Sequence, residues 1–506
     1  MTRESDIQRL RFAWVATAAC LALTLPRLLT HELWRDEAWL WLVVTDSTSS
    51  SDLFSRLGRT GQGYLFPWLC LLAKNASTSP RAMQVLHLVL TGAGAFTFAR
   101  WAPFRRLERA LFIFGYFPFY EYAVISRHYV VGALLLWIAC VLVRAGRPVP
   151  ALGLAVALLC QTTVYGFILA LAVVGGWLVD RFLRRRELPP LRPVEVATGL
   201  ALAVPGAVAG VVQLVPDAGT VFASEWRFGW SAHVAVRVSQ APWHAFVPVP
   251  RAGLHFWNSN ALDALPLLQA LLGVAVFVGA VAFLRPRPAG LATFLLGAFG
   301  LATFGYIKLA GELRHDGHWW LLFAAALWIG GGIPAAANSG AWRDRAFLTL
   351  LALHGATAAY ASWMDLRHPF SNAEATARLL RAEGLDREPL LGYREPPAAP
   401  VALALDRDLF FPSRGVLARY PDWGPGQREL REAELRCAAR AFAANQGRDV
   451  ILVMNRELLG WRELSDAGSV VGAILPTEDY HLYRMRWALL RETAPEAACS
   501  EAPRTP

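Results

Sequence analysis

The chain has 506 residues, of which 55% are apolar and only 17% are charged, and it contains 20 tryptophans. This composition excludes an ordinary soluble globular protein and indicates a polytopic α-helical membrane protein. The net charge of +10 does not indicate nucleic-acid binding, because the basic residues form short clusters between apolar runs, where orientation in a bilayer explains them better.

Eleven stretches approach the length of about 20 apolar residues that a helix needs to cross a bilayer. Charged residues precede the first stretch, and no small-residue cleavage site follows it, so we interpret it as an uncleaved span and not as a signal peptide. The predicted spans cover approximately residues 11–30, 83–99, 109–126, 128–144, 149–165, 166–180, 194–216, 262–284, 289–309, 317–336 and 345–363.

The short run "YLFPWLCLLAK", residues 64–74, decides the predicted topology, because counting it as a crossing would reverse every later helix. Without it, the loops on the amino-terminal side hold 18 arginines in 52 residues, whereas the opposite loops hold 11 Lys or Arg in 115. The positive-inside rule then places loop 31–82 and the tail from Asp365 onward outside. Residues 64–74 are predicted to lie in the membrane interface or to re-enter.

Aromatic residues are concentrated in the two long outer loops. The stretches "DEAWLWLVV", "EWRFGW" and "HFWNSN" alternate Trp and Phe with polar groups. This alternation is typical of helices that lie in the membrane interface, so the sequence predicts interfacial helices there.

The last part of the chain is less apolar and predicts a small extracytoplasmic α/β domain at 364–506, after a transmembrane domain at 1–363 that includes outer loop 31–82. "NAEATARLLRAEGL" and "GQRELREAELRCAARAFAANQG" have the periodicity of helices, the second closed by glycine, whereas "PLLGY" and "DVILVMN" predict short buried strands. Their Pro and Gly content predicts loops for "REPPAAP" and "YPDWGPGQ".

The six cysteines have no metal-binding spacing, and four of them lie in apolar runs as small hydrophobic residues. Cys437 and Cys499 both belong to the predicted outer domain, where an oxidising compartment would allow a disulfide between them. The sequence leaves that pairing open.

Three clusters of charged residues share the predicted outer face. The first is Asp36-Glu37, directly after the first span; the second lies in "FYEYAVISRHY" and the third in "KLAGELRHDGH". Charged groups at membrane depth are costly, so three clusters on one face predict a functional site. The residues of the second and third clusters are Glu121, Arg127, His128 and Tyr129, and Lys308, Glu312, Arg314, His315, Asp316 and His318.

At these residues the sequence resembles the GT-C fold glycosyltransferases, in particular the bacterial relatives of protein O-mannosyltransferases and aminoarabinose transferases. The resemblance rests on the order of parts over residues 1–363, on "RDEAW" immediately after the first span, and on "SRHY". These relatives usually carry a His-Pro-Pro type motif before the second apolar run. This chain has "GQGYLFPW" there, which leaves the acceptor undetermined.

The resemblance implies an inverting transfer of a sugar from a polyprenyl-phosphate donor to a hydroxyl of a lipid, glycan or protein acceptor, at the outer face of a bacterial inner membrane. Asp36 matches the family's outer-loop aspartate and is the expected general base, with Glu37 as the alternative or supporting carboxylate. Arg127 is the expected phosphate ligand, because its planar guanidinium can hold two phosphate oxygens. We expect Arg35, Glu121, His128, Tyr129, Lys308, Arg314 and His315 to contribute to substrate binding.

Alternative readings remain for single residues and for the whole chain. Lys308 has the position of a side chain that snorkels from a helix end. His315, Asp316 and His318 could hold a divalent metal, but they lack a fourth ligand at recognisable spacing, so we expect ordinary polar contacts there and no cofactor. A transporter or lipid flippase would also carry charges in the membrane, but at mid-span beside broken helices. A noncatalytic envelope-assembly subunit is a further alternative.

Overall fold

The computed structural model describes residues 5–492 except 145, 147–148, 224–225, 333–340 and 425–426. The chain forms two compact units. We call the first the membrane unit, which comprises residues 1–29, 60–217 and 223–363. The second, called the outer unit after its predicted location, comprises residues 30–59, 218–222 and 364–506. The outer unit resumes at Met364, the predicted start of the α/β domain, but it also includes residues 30–59, which we assigned to the transmembrane domain.

Helices account for most of the described residues before residue 368, and every predicted span overlaps a helix. The bounds are α1 (Asp6–Thr30), α2 (Arg35–Asp46), α3 (Ser50–Leu57), α4 (Leu65–Lys74), α5 (Arg81–Trp101), α6 (Arg106–Ile113), α7 (Tyr129–Arg144), α8 (Val149–Cys160), α9 (Val164–Leu183), α10 (Pro193–Leu214), α11 (Ala232–Phe246), α12 (Pro266–Leu284), α13 (Pro288–Ile307), α14 (Leu313–Ile329) and α15 (Ala341–Arg367).

Six helices of the described residues are long and apolar enough to cross a bilayer: α1, α5, α9, α10, α12 and α13. The predicted class of a polytopic helical membrane protein is therefore confirmed. The predicted count of eleven crossings stays a prediction, because α7, α8 and α14 have 16, 12 and 17 residues. Helix α4, at the run that decided the predicted topology, has 10 residues, about half the length that a crossing needs.

The predicted span at 109–126 is wrong as a single helix. Helix α6 ends at Ile113, a π-helix follows at Tyr116–Glu121, and turns continue to the start of α7. Gly115 has an extended backbone, and Pro118 has no N–H to donate, so a regular α-helix cannot run through this stretch.

Two of the predicted interfacial helices are also absent from the described residues. Residues 226–230 of "EWRFGW" have no helix, and the Arg227 N–H donates to the Ile307 carbonyl at the end of α13. The stretch "HFWNSN" forms turns, with Asn258 in the left-handed region at φ 56°. The third stretch, "DEAWLWLVV", does form a helix, α2.

The outer unit is built on a six-stranded mixed sheet in the order β3-β2-β1-β4-β6-β5. Strands β2, β1 and β4 run parallel, and the remaining neighbours pair antiparallel. The elements are α16 (Ala373–Ala382), β1 (Leu390–Tyr393), α17 (Glu395–Leu405), β2 (Leu409–Phe411), β3 (Val416–Ala418), α18 (Glu432–Gln446), β4 (Val450–Met454), β5 (Leu464–Val470), β6 (Tyr480–Met485) and α19 (Trp487–Glu492).

Helices cover both faces of this sheet. Alternate residues of a strand point to opposite faces, so strands β1 and β4 contribute to two apolar cores. Leu391 and Leu452 belong to the apolar core beneath α18, whereas Leu390 and Ile451 belong to the core beneath α16 and α17. The two strands predicted from "PLLGY" and "DVILVMN" are thus confirmed as the central pair β1 and β4.

The predicted loop "REPPAAP" is wrong, because residues from Glu395 onward form α17. Prolines are tolerated in the first turn of a helix, where the backbone N–H groups have no intrahelical partner in any case. The second predicted helix begins at Glu432 and not at the start of its stretch, and it ends as predicted at Gly447, which adopts a left-handed conformation at φ 62°. The described residues of "YPDWGPGQ" have no helix or strand, as predicted.

Cys437 is buried in α18 and disulfide-bonded. Cys499 lies outside the described residues, so its pairing with Cys437, which the sequence left open, stays open. Cys20, Cys70, Cys140 and Cys160 are buried free thiols, in agreement with their assignment to apolar packing.

Candidate functional site

The acidic pair Asp36-Glu37 lies in the first turn of α2, within the outer unit. Glu37 is fully buried, and its carboxylate lies 3.1 Å from His31 Nε2 and accepts from the Trp34 N–H at 3.4 Å. Asp36 is half-buried. Successive side chains of a helix point in different directions, so the two carboxylates have different surroundings.

His31 bridges two buried carboxylates. Its Nδ1 lies 3.4 Å from Asp365 Oδ1, while its Nε2 meets Glu37. Burial lowers the pKa of His31, but the Glu37 and Asp365 carboxylates outweigh this effect and raise it to about 10. The imidazole is therefore a buried cation near neutral pH, and Glu37 is its counter-ion.

Glu478 holds the start of α2. The Arg35 N–H donates to Glu478 Oε1 at 2.9 Å, and the Arg35 guanidinium lies 5.4 Å from the Trp34 ring. Glu478 is fully buried, and burial raises the pKa of its carboxyl group to about 7. Sequence reasoning missed both His31 and Glu478, and the 443 positions that separate Arg35 from Glu478 leave no local signal of this contact.

In the membrane unit, Glu121 ends the π-helix and is buried. It accepts hydrogen bonds from the Tyr116 hydroxyl at 3.0 Å and from Trp257 Nε1 at 3.1 Å. Arg314 lies over the Trp257 ring at 5.5 Å, forms an ion pair with Glu312, and interacts electrostatically with Glu121. The second and third predicted clusters are thus in contact.

His315 lies within the electrostatic influence of three arginines. The charges of Arg127, Arg237 and Arg314 all act on its imidazole, and its Nδ1 accepts from the Glu312 N–H at 2.9 Å. Arg127 comes from the turn before α7, Arg237 from α11, and Arg314 from the first turn of α14. The predicted cation Arg127 therefore belongs to a larger cationic group.

Aromatic side chains surround this group. Tyr165, in the first turn of α9, stacks on His318 at 4.5 Å and on His315 at 5.3 Å between ring centroids. Tyr129 lies 5.4 Å from His318 and 6.1 Å from His315. A cavity in contact with Tyr165, His315 and Asp316 opens between α9, α11, α13 and α14.

Asp316 is buried and has two basic partners that the sequence did not reveal. Arg237 Nη2 donates to Asp316 Oδ2 at 3.0 Å, and His244 Nδ1 lies 2.9 Å from the same oxygen. Both partners are on α11, more than 70 positions earlier, in a stretch that the sequence analysis did not assign to the site. Their spacing of seven residues, two helical turns, was the only local signal.

The remaining two predicted ligands are placed differently. His128 packs its ring 5.6 Å from that of Phe66 on α4. Lys308 follows α13 and places its ammonium group 5.1 Å from the ring of Trp226. A cation over an exposed tryptophan is typical of a residue anchored at the membrane interface, which agrees with the snorkelling interpretation of Lys308.

The "GQGY" turn, where the family motif was missing, packs against the break between α8 and α9. The Leu65 N–H donates to the Gln161 carbonyl at 3.1 Å, and the Tyr64 N–H donates to the Gln213 side chain at 3.0 Å. Gln161 Nε2 in turn donates to the Ala157 and Gly206 carbonyls. The turn therefore packs against a break in the helices, and the N–H groups of Tyr64 and Leu65 donate to acceptors of the protein itself.

Among the described residues, no group of three or more His, Cys, Asp or Glu side chains is arranged to hold a metal ion. His315 and His318 instead meet backbone groups and Tyr165, and Asp316 meets Arg237 and His244.

Comparison with solved structures gives a similar layout in ArnT from Cupriavidus metallidurans bound to undecaprenyl phosphate. The identity is 14% and the TM-score 0.47, over 93% of this chain and 97% of that chain. At this distance the likeness assigns no residue role and no activity to this chain. No family model and no curated protein matches the chain.

Proposed function

We propose that the chain is an integral-membrane glycosyltransferase that moves a sugar from a polyprenyl-phosphate donor to an acceptor hydroxyl at the outer face of a bacterial inner membrane. The observation that carries this proposal is the cationic group beside the α9–α14 cavity: Arg237 pairs with Asp316 at 3.0 Å, Arg314 lies 5.5 Å from the Trp257 ring, and the charges of both and of Arg127 act on His315. Undecaprenyl phosphate, the lipid bound by ArnT, is a polyprenyl phosphate, the class of lipid that the proposed donor releases after transfer.

The arginine group has the chemistry that a leaving phosphate requires. As the glycosidic bond breaks, negative charge develops on the phosphate, and fixed cations stabilise that charge more than they stabilise the bound donor. Carboxylates hold two of the guanidinium groups in place, Arg237 through Asp316 and Arg314 through Glu312. The side chains are therefore oriented before the donor binds, which reduces the entropy cost of binding it.

Asp36 is the proposed general base, and Glu37 is not. An acceptor alcohol must lose its proton as it attacks the anomeric carbon, and a carboxylate that faces the hydroxyl can accept that proton. Glu37 is already the counter-ion of His31 and is fully buried, whereas Asp36 is half-buried. A single base without a covalent enzyme intermediate fits an inverting transfer.

The outer location of Asp36 and of the outer unit is part of the proposal. It is supported by the excess of arginine in the opposite loops and by the disulfide at Cys437, because disulfides persist in oxidising compartments.

Single cysteines introduced at the exposed positions Ser51, Ser469 and Arg185 test the outer location, since the four free native thiols are buried. An impermeant thiol reagent applied to intact cells should label the first two variants and should label Arg185→Cys only after permeabilisation. Labelling of Ser469→Cys from the inside alone would overturn the outer location.

The activity is tested by incubating the purified full chain with a panel of polyprenyl-phosphate sugars and an added alcohol, so that the sugar passes to the alcohol or to water, and following donor consumption. We expect one donor of the panel to be consumed and free polyprenyl phosphate to be released in equal amount.

A matched pair of variants links the activity to the site. Arg127→Ala should lose consumption, whereas Arg251→Ala, which removes an exposed arginine of an outer loop, should retain it. Equal activity of these two variants would reject the phosphate site.

A further inference from the structure

The first turn of α2 is capped by a residue from the far end of the chain. The N–H groups of the first turn of a helix have no intrahelical acceptors and need another partner. For Arg35, the first residue of α2, that partner is Glu478 Oε1 at 2.9 Å. The N–H of Trp34, one residue earlier, is taken by Glu37. Two carboxylates thus hold the N–H groups of the two residues that directly precede Asp36.

Glu478 is itself held firmly. It ends a short 3₁₀ turn at Pro476–Glu478, where its N–H donates to the Leu475 carbonyl and its own carbonyl accepts from the Asn372 N–H. Its carboxylate also meets the Ser371 hydroxyl. The next residue, Asp479, accepts from the N–H groups of Gly472 and Ala473, and strand β6 follows directly.

Through Glu478, the orientation of the Asp36 side chain depends on the central sheet. Glu478 precedes β6 by two residues, and β6 pairs with β4 in the middle of the sheet. Glu478 and Asp36 are also close enough for their charges to interact. A small rotation of the first turn of α2 would redirect the Asp36 carboxylate, and a misplacement of about 1 Å is enough to slow a positioned reaction strongly.

We infer that Glu478 is a positioning residue for the transfer reaction: by accepting the Arg35 N–H it fixes the first turn of α2 so that Asp36 faces the acceptor hydroxyl. This inference rests on the proposed function of Asp36. It gives the sheet of the outer unit a direct part in the activity, because the sheet carries the residue that orients the base.

Two substitutions separate this role from a general loss of stability. Glu478→Ala removes the acceptor oxygen, whereas Glu478→Gln keeps an amide oxygen that can accept the Arg35 N–H. Glu463 provides the matched control, because it is a buried carboxylate of the same unit that pairs with Arg436 instead of α2. Glu463→Ala should lower the unfolding midpoint as Glu478→Ala does, but leave α2 in place.

With the purified full chain and its donor, we expect Glu478→Ala to lower kcat at least tenfold with the donor KM changed less than twofold. Glu478→Gln should recover most of kcat, and Glu463→Ala should keep kcat within about twofold of the wild type. In hydrogen–deuterium exchange, peptides covering residues 33–42 should exchange faster in Glu478→Ala than in Glu463→Ala.

The outcome that overturns the inference is a Glu478→Ala variant whose kcat and exchange over residues 33–42 both match those of Glu463→Ala. A Glu478→Gln variant as slow as Glu478→Ala would overturn it as well, because the hydrogen-bond acceptor would then not be what matters. If the wild type consumes no donor of the panel, the proposed function fails. The exchange comparison still decides whether Glu478 holds α2.

Discussion

The two units hold their charged groups in place by different means. In the membrane unit these groups lie where helices are interrupted: Glu121 ends a π-helix, Arg127 precedes α7 in a turn, and His315 lies in the first turn of α14. In the outer unit, Asp36 lies on a regular helix whose start is fixed by residues more than 300 positions away.

The difference follows from the surroundings of each unit. Within the bilayer, backbone groups must be satisfied inside each helix, so polar side chains gather where a helix ends or breaks. The outer unit has a packed sheet and can supply distant partners such as Asp365 and Glu478 to a single helix. Changes in the outer unit should therefore act on α2 through partners more than 300 positions away, and changes in the membrane unit should act through contacts between neighbouring helices.

The largest effect is expected at Asp36. Asp36→Asn keeps the shape and removes the basicity, so it should lower turnover by about 100- to 10,000-fold while donor binding stays nearly unchanged. Glu37→Gln should reduce stability more than turnover, because Glu37 serves His31 and the cap of α2. Turnover and donor affinity of the two purified variants check this pair. Active Asp36→Asn with inactive Glu37→Gln would transfer the role of the base to Glu37.

The second prediction concerns the buried cation of the outer unit. His31→Gln leaves Glu37 and Asp365 without their counter-ion, and breaking a buried ion pair costs about 3–5 kcal/mol in the free energy of unfolding. The pKa of His31 rises from 6.5 to about 10 on folding, so its stabilisation is complete below pH 6.5 and is lost as the pH rises toward 10.

The unfolding midpoint of the wild type in detergent should therefore fall between pH 7 and pH 10, and the midpoint of His31→Gln should change less over this range. His481→Gln, on β6 of the same unit, is the control and should follow the wild type. A midpoint of the wild type that stays constant from pH 7 to pH 10 would contradict a buried cation at His31.

The third prediction concerns the membrane unit. Arg127→Ala removes charged hydrogen bonds that are worth about 1.5–3 kcal/mol, so the donor Kd should rise by roughly 10- to 150-fold. Arg127→Lys should recover only part of this affinity, because an ammonium group cannot contact two phosphate oxygens as a guanidinium does. Binding of a radiolabelled donor to the purified variants measures both. Full recovery by lysine would reject bidentate contact.

The smallest effect is expected at the "GQGY" turn, which packs against the break between α8 and α9 within the membrane unit. A Cβ at Gly63 would lie 2.3 Å from the Gln161 carbonyl oxygen, so Gly63→Ala must shift the backbone and should cost about 1–3 kcal/mol in stability. Gly94→Ala in α5 is the matched control, because its Cβ would meet nothing within 4 Å and alanine favours a helix. Unfolding midpoints should fall for the first variant and stay or rise for the second.

Local sequence patterns predicted much of the secondary structure. The apolar runs, the glycine that closes α18 and the strands β1 and β4 could be predicted because each depends on residues that are close in sequence. The errors also have local causes. Pro118 interrupts the span predicted at 109–126, and the prolines of α17 were interpreted as loop residues although most of them lie in the first turn of the helix.

The sequence by itself determined the class of the protein and the segments that carry charge, because both depend on composition and on the order of residues along one segment. Only the tertiary structure decided which charges are engaged: His31 and Asp365 occupy Glu37, Glu478 holds Arg35, and α11 supplies Arg237 and His244 to Asp316. The physical reason is that an ion pair needs its two groups within about 4 Å, and packing alone brings together residues that are far apart in the chain.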